Sequence, residues 1–217
     1  MCYLQSWPFS QDSFFKYYDM KKIHTIFFGL ISLCFFSACS EKPAKKVLVM
    51  ASGKVQINDN VITLEPGTTH TENEITLSNG KVTVNTPAGS SEFTTPDAGL
   101  YILNIKNDTL IGSYQRIGTE NSQTVISQEN LRTRIDSLNQ LMVGSNANAT
   151  NKNFFIPPNQ ILKVTANPEA QIIGPYKTVP GSFEGGKEHE IYKFYTNKEM
   201  HEIVGKLSKM VDSVKAE

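Results

Sequence analysis

This chain is poor in cysteine, histidine, tryptophan and net charge. Its 217 residues hold three cysteines, four histidines and one tryptophan. Lysine plus arginine, 21, equals aspartate plus glutamate, 21. A balanced chain offers no basic field, so no nucleic-acid partner is expected. All three cysteines, Cys2, Cys34 and Cys39, lie near the start, so the body beyond residue 39 has no internal disulfide and must be held by packing. A spanning helix needs about 20 apolar residues. The nearest approach, residues 23–36, is shorter and is interrupted by His24, Thr25 and Ser32. The sequence has no Gly-x-Ser-x-Gly elbow, no phosphate-binding P-loop and no His-Glu-x-x-His. No catalytic residue is therefore assigned, and the chain is not expected to be an enzyme.

What is present begins with Lys21 and Lys22, a short positive segment ahead of the apolar run at 23–36. A run of that size fits the apolar core of a secretory signal, about 7–15 residues, better than a membrane span. It ends in Phe36-Ser37-Ala38-Cys39. Small residues before a cysteine resemble the lipobox of bacterial lipoprotein precursors, with Phe36 where that family usually has leucine. The resemblance implies cleavage before Cys39, lipidation of Cys39, and a covalent lipid in place of any dissociable cofactor. Several acyl chains on one cysteine make attachment durable where a single chain is marginal. Residues 20–38 then form the signal peptide, and residues 1–19 read as a mis-assigned start. Residues 39–46, with Pro43, read as a polar tether. Loss of Lys16, Lys21, Lys22, Asp12 and Asp19 leaves 18 basic against 19 acidic side chains. In lipoprotein families the residue after the cysteine influences sorting. Ser40 is not the aspartate of inner-membrane retention, so the expectation is an outer-membrane anchor facing the periplasm. The acidic run that some Bacteroidota use to reach the cell surface is reduced here to Glu41 before Lys42.

Residues 47–126 carry short apolar or alternating runs near period two: Val47-Leu48-Val49-Met50, Val61-Ile62-Thr63-Leu64, Ile75-Thr76-Leu77 and Val82-Thr83-Val84. Turn signals separate them, including Asn58-Asp59-Asn60, Asn79-Gly80 and Asn107-Asp108. Asn-Gly predicts a hairpin between 75–77 and 81–85, and Asn107-Asp108 a second between 100–106 and 109–114. Leu100-Tyr101-Ile102-Leu103 is apolar on both faces, the mark of a central strand. Many short strands with such turns predict an α+β, mainly β fold: an antiparallel β-sandwich or small barrel with two amphipathic helices. The stretch from Ile75 to Val84 also resembles the periplasmic sensor domain of FecR-type regulators, although the later Gly-Thr-x-Phe element of that family is missing.

At 127–143 the period changes. Leu131, Ile135, Leu138 and Met142 predict a helix capped by Ser127 and ended by Gly144. It is expected to pack on the sheet, with a short coiled-coil contact to a partner as the other use of that seam. The Asn-rich stretch 144–153 reads as a loop and domain boundary, leaving 154–217 as an α+β C-terminal module. Its last helix is specified best. Thr196 and Glu199 form a capping box, Tyr195 and Met200 a hydrophobic staple, and Met200, Ile203, Val204, Leu207, Met210, Val211 and Val214 one apolar face.

Residues that bear chemistry are few. Glu188, His189 and His201 are the candidate metal ligands, since two imidazoles and a carboxylate form an ordinary zinc set. Solvated charge beside a glycine loop is the bland alternative. His70 lies in a polar stretch and receives no role. Tyr176, Tyr192 and Tyr195 are candidates for a stacking platform toward a sugar or peptide, with core packing the alternative. Asp108-Thr109-Leu110, Asp136-Ser137-Leu138 and Asp212-Ser213-Val214 resemble acceptor sites of Bacteroidota O-glycosylation, and Thr109 is the preferred one. The expected function is a membrane-anchored envelope lipoprotein, a non-enzymatic binding or structural module. Its partners are the bilayer, through Cys39, and an envelope protein or glycan. The alternatives are a metal-binding protein or metal-assisted hydrolase using His189 and His201, and a FecR-type periplasmic sensor.

Overall fold

The computed structural model describes residues 44–115, 127–180 and 190–214. Cys39, Glu188 and His189, with the signal-like segment before Cys39, lie outside the described residues. The fold is mainly β with two helices. One sheet has six strands in the order β4-β3-β2-β1-β5-β8. These are β1 (Lys45–Asn58), β2 (Val61–Thr76), β3 (Lys81–Thr86), β4 (Gly89–Thr94), β5 (Gly99–Ile105) and β8 (Gln160–Thr165). It curls until it is nearly barrel-shaped. The second sheet has the order β7-β6-β10-β9, from β6 (Leu110–Gln115), β7 (Asn153–Ile156), β9 (Gln171–Ile173) and β10 (Ile191–Thr196). Helices α1 (Gln128–Met142) and α2 (Asn197–Val214) complete the chain.

The apolar pattern explains the layering. On β1, Val47, Val49 and Ala51 point into the barrel with Tyr101, Leu103 and Ile105 of the adjacent parallel strand β5. The opposite face carries Met50 and Ile102, which meet Leu110, Phe154, Ile156, Tyr192 and Phe194 of the second sheet. Strand β5 therefore has no wet face, and all seven of its residues are buried, as its two-sided apolar character predicts. The far face of the second sheet packs Ile111 against Leu141 and Met200 of the helices. Each large apolar side chain fully buried this way contributes about 1.5–3 kcal/mol.

Several expectations need correction. The sheets are mixed rather than purely antiparallel, because β1 runs parallel to β5, β2 to β3 and β9 to β10. The Asn79-Gly80 hairpin does not form. Gly80 has positive φ (71°) but Asn79 does not, so the type I′ turn, which needs both, is not made. Instead Leu77 N–H still pairs with Lys45 O (2.8 Å), and β3 crosses over to run parallel to residues 61–63. The Asn107-Asp108 hairpin is also absent: the chain leaves one sheet there and enters the other. Asn104 fixes this departure. Fully buried, it donates through Nδ2 to Asp108 O (2.9 Å) and Ile156 O (2.8 Å), and its Oδ1 accepts from Lys106 N (3.1 Å). Nor does 144–153 mark a domain boundary. Strands from its far side join both sheets, β8 beside β5 and β7 beside β6.

The helices follow expectation more closely. Ser127 Oγ accepts from Asn130 N (3.2 Å) and caps α1, and Gly144 follows with φ +76°. At α2, Glu199 N–H donates to Thr196 Oγ1 (3.2 Å) and Thr196 N–H to Glu199 Oε2 (2.8 Å), the reciprocal capping box. Met200 and Val211 are buried, while Ile203, Val204 and Leu207 are only partly covered and Met210 is exposed. No described helix is long and apolar enough to cross a membrane.

Candidate functional site

Two regions stand out, one charged and one without charge. The charged one lies where the outer face of the barrel meets the end of the second sheet. On β2, His70 and Glu72 share a face because they are two residues apart, and Lys106 arrives just past β5. Lys106 Nζ lies 3.0 Å from His70 Nδ1 and 3.4 Å from Ala51 O. His70 Nε2 lies 2.7 Å from Glu72 Oε1. Lys177 pairs with the other oxygen of Glu72. Lys193, buried on β10, donates to Gly174 O (2.6 Å) and Phe194 O (2.9 Å), with its ammonium 4.4 Å from the Tyr195 ring centre. Glu199 reaches in from α2 and accepts from Tyr176 N (2.8 Å). Tyr176 holds φ +63° and sets its ring edge-on to His70 at 5.5 Å.

The electrostatics follow from burial and pairing. Burial pushes the Glu72 carboxyl up, but hydrogen bonds from Lys177 and His70 outweigh it and hold the group below its ordinary value. Burial lowers the Lys106 and Lys193 ammonium groups, against the opposing pull of Glu199 and Glu72 on both. Lys177 pairs directly with Glu72, Lys106 reaches the same carboxylate through His70, and Lys193 and Glu199 are satisfied by backbone groups.

The uncharged region is a cleft of about 270 Å³ at an open corner of the barrel. It forms because the β1–β2 ribbon is irregular between Ser52 and Gly53. Ser52 pairs with His70 and Gly53 with Pro66, leaving Gly67, Thr68 and Thr69 unmatched. Gly53 holds φ +123°, and a Cβ there would overlap Glu65 O, so a side chain is excluded. A second hollow of about 250 Å³ adjoins the cleft, sharing Thr86, Ala88 and Asn159 with it.

Among the described residues, those singled out from sequence do not converge. His201 sits exposed on α2 with Nδ1 2.8 Å from Asn197 O, and the metal partners expected for it, Glu188 and His189, lie outside the described residues. Among the described residues no group of three or more His, Cys, Asp or Glu is placed to hold a metal. The three tyrosines form no common platform. Tyr192 is buried between the sheets, its hydroxyl donating to Glu190 (2.5 Å); burial and that carboxylate push its ionisation up. Tyr195 lies on the opposite face of β10 with the helices, and Tyr176 is exposed beside His70. Thr109 is half-buried in the inter-sheet turn, its carbonyl accepting from Asn197 N (3.1 Å). Ser137 and Ser213 are exposed on their helices. The hairpin that carried the FecR resemblance is not formed.

His70 and Lys106, at the centre of the charged cluster, were invisible as a pair, being 36 residues apart. The only local signal was the spacing of His70 and Glu72, which puts two polar groups on one face of a strand. No family model, no curated protein and no solved structure matches this chain.

Proposed function

We propose that this chain is an envelope lipoprotein, held at a bacterial outer membrane by acyl chains on Cys39 and facing the periplasm. Its barrel serves as a non-enzymatic binding module. The observation that carries the anchor is the order Lys21-Lys22, apolar run, Phe36-Ser37-Ala38-Cys39 and polar tether. Support for binding rather than catalysis comes from how the side chains are used. The charged groups of the cluster are already engaged by one another or by backbone groups, whereas the cleft at the barrel corner is open. The mouths of β-barrels are common ligand sites. The bilayer, through Cys39, and an envelope protein or glycan are the proposed partners.

Intact mass of the native chain, with its partition into detergent, tests the anchor. The expected mature chain starts at Cys39, carries acyl mass and enters the detergent phase. The Cys39→Ser chain is expected to lose both the added mass and the partition. A native chain that is unacylated and stays in the aqueous phase would overturn the proposal.

A further inference from the structure

We propose that the cleft at the barrel corner binds a neutral carbohydrate; this deepens the reading of the barrel as a binding module and rests on it. None of the residues lining the cleft or the adjoining hollow is Lys, Arg, Asp, Glu or His. In a chain whose charged residues make up 19%, an opening at the surface without one offers nothing to fix a charged ligand. Its polar groups are hydroxyls and amides. Ser52, Ser90, Ser91, Asn107 and Asn159 make no side-chain hydrogen bond among the described residues, unlike Thr86, whose hydroxyl donates to Gly89 O (3.1 Å). The wall behind them is apolar: Leu64 and Ile105, with Val84 and Phe93 along the hollow.

That combination suits a polyol. Each sugar hydroxyl both donates and accepts, as a side-chain amide also does, while the C–H face of the ring needs apolar contact. Asn107 and Asn159 stand on two different turns, after β5 and before β8, so a ligand bridging them bonds at both edges. Asn159 is at φ +58° with its backbone N–H held by Asn104 O (2.7 Å). The turn therefore presents the amide from a fixed backbone, and a pre-set donor loses less freedom on binding.

The test is titration calorimetry on the full chain in a non-glycosidic detergent, with maltotetraose, cellotetraose and mannotetraose as neutral probes. Trigalacturonate is the charged control, and a Gly-Ser-Asn-Gly-Ser peptide the uncharged peptide control. Binding of at least one neutral tetrasaccharide is expected, with neither control binding as tightly. Asn159→Gly keeps the positive φ and removes the amide; Asn107→Ala removes the other. Each should weaken binding about fivefold, the worth of one hydrogen bond of roughly 1 kcal/mol. Ser90→Ala with Ser91→Ala, on the exposed strand β4, gives a variant with little folding risk and the same expected direction. The proposal is overturned if no neutral probe binds, if a control binds as well, or if binding survives all three variants unchanged. The two readings fail separately. Cys39→Ser should lose partition and keep neutral-sugar binding. A native chain that binds the probe but does not partition overturns the anchor alone, and one that partitions but binds no neutral probe overturns the cleft alone.

Discussion

Lys106 Nζ and His70 Nδ1 stand 3.0 Å apart. An ammonium can only donate, so that ring nitrogen accepts, and Nε2 carries the proton facing Glu72 at 2.7 Å. One contact therefore sets the tautomer of a histidine and the direction of the next hydrogen bond. It ties the end of β5 to β2 within the barrel wall, and Lys177 reaches the same Glu72 from beyond β9.

Acid should loosen this junction. Glu72 is held below its ordinary 4.5 because Lys177 and His70 outweigh burial. A carboxyl lowered on folding contributes stability that is present above 4.5 and lost as the pH falls through the folded value. Glu190, lowered by hydrogen bonds from Tyr192 and Thr165 against the pull of burial, adds a loss of the same sign. Urea midpoints measured from neutrality into acid should fall more steeply for the native chain than for Glu72→Gln. Parallel curves would show that Glu72 gains nothing from its partners.

Asn104→Leu should destabilise the fold by about 2–3 kcal/mol, because Ile156 O and Asp108 O lose their donor and Lys106 N its acceptor. Asn107→Ala, three residues on and exposed, should stay within about 0.5 kcal/mol. Chemical denaturation of both variants checks the contrast.

Gly112 on β6 lies in register with Phe194 on β10, and a Cβ there would overlap the ring. Gly112→Ala should cost about 1–3 kcal/mol by overpacking. Adding Phe194→Leu should recover some of that loss, and a double-mutant cycle of melting free energies measures the coupling.

Glu199→Ala should cost about 1 kcal/mol, since it removes one half of the capping box. It also frees the Tyr176 amide from Glu199 Oε1. Hydrogen exchange at Tyr176 should accelerate in this variant while amides of β5 stay protected.

Much of the secondary structure was legible. Ser127, Gly144, Thr196 and Glu199 cap helices through contacts three or four residues apart, and such local chemistry is written in the chain. Strand β5 announced its burial because both of its faces are apolar. Strand β4 gave no signal: Gly89-Ser90-Ser91 lies at a sheet edge, exposed on both sides, where no apolar alternation is required. The failed hairpins have one cause. Turn propensity says that the chain changes direction, but where it goes next depends on which buried surface is still uncovered. Residues 110–114 find that surface in the second sheet and not beside β5.

Near neighbours along the chain were enough to specify a β-rich body without disulfides and two capped helices, because strand alternation and helix caps are short-range. The parallel pairings, the charged cluster around His70 and Lys106 and the uncharged cleft at the barrel corner came from the folded chain. Those depend on groups tens of residues apart, brought together by burying apolar faces whose pattern fixes that they must be covered but not by what.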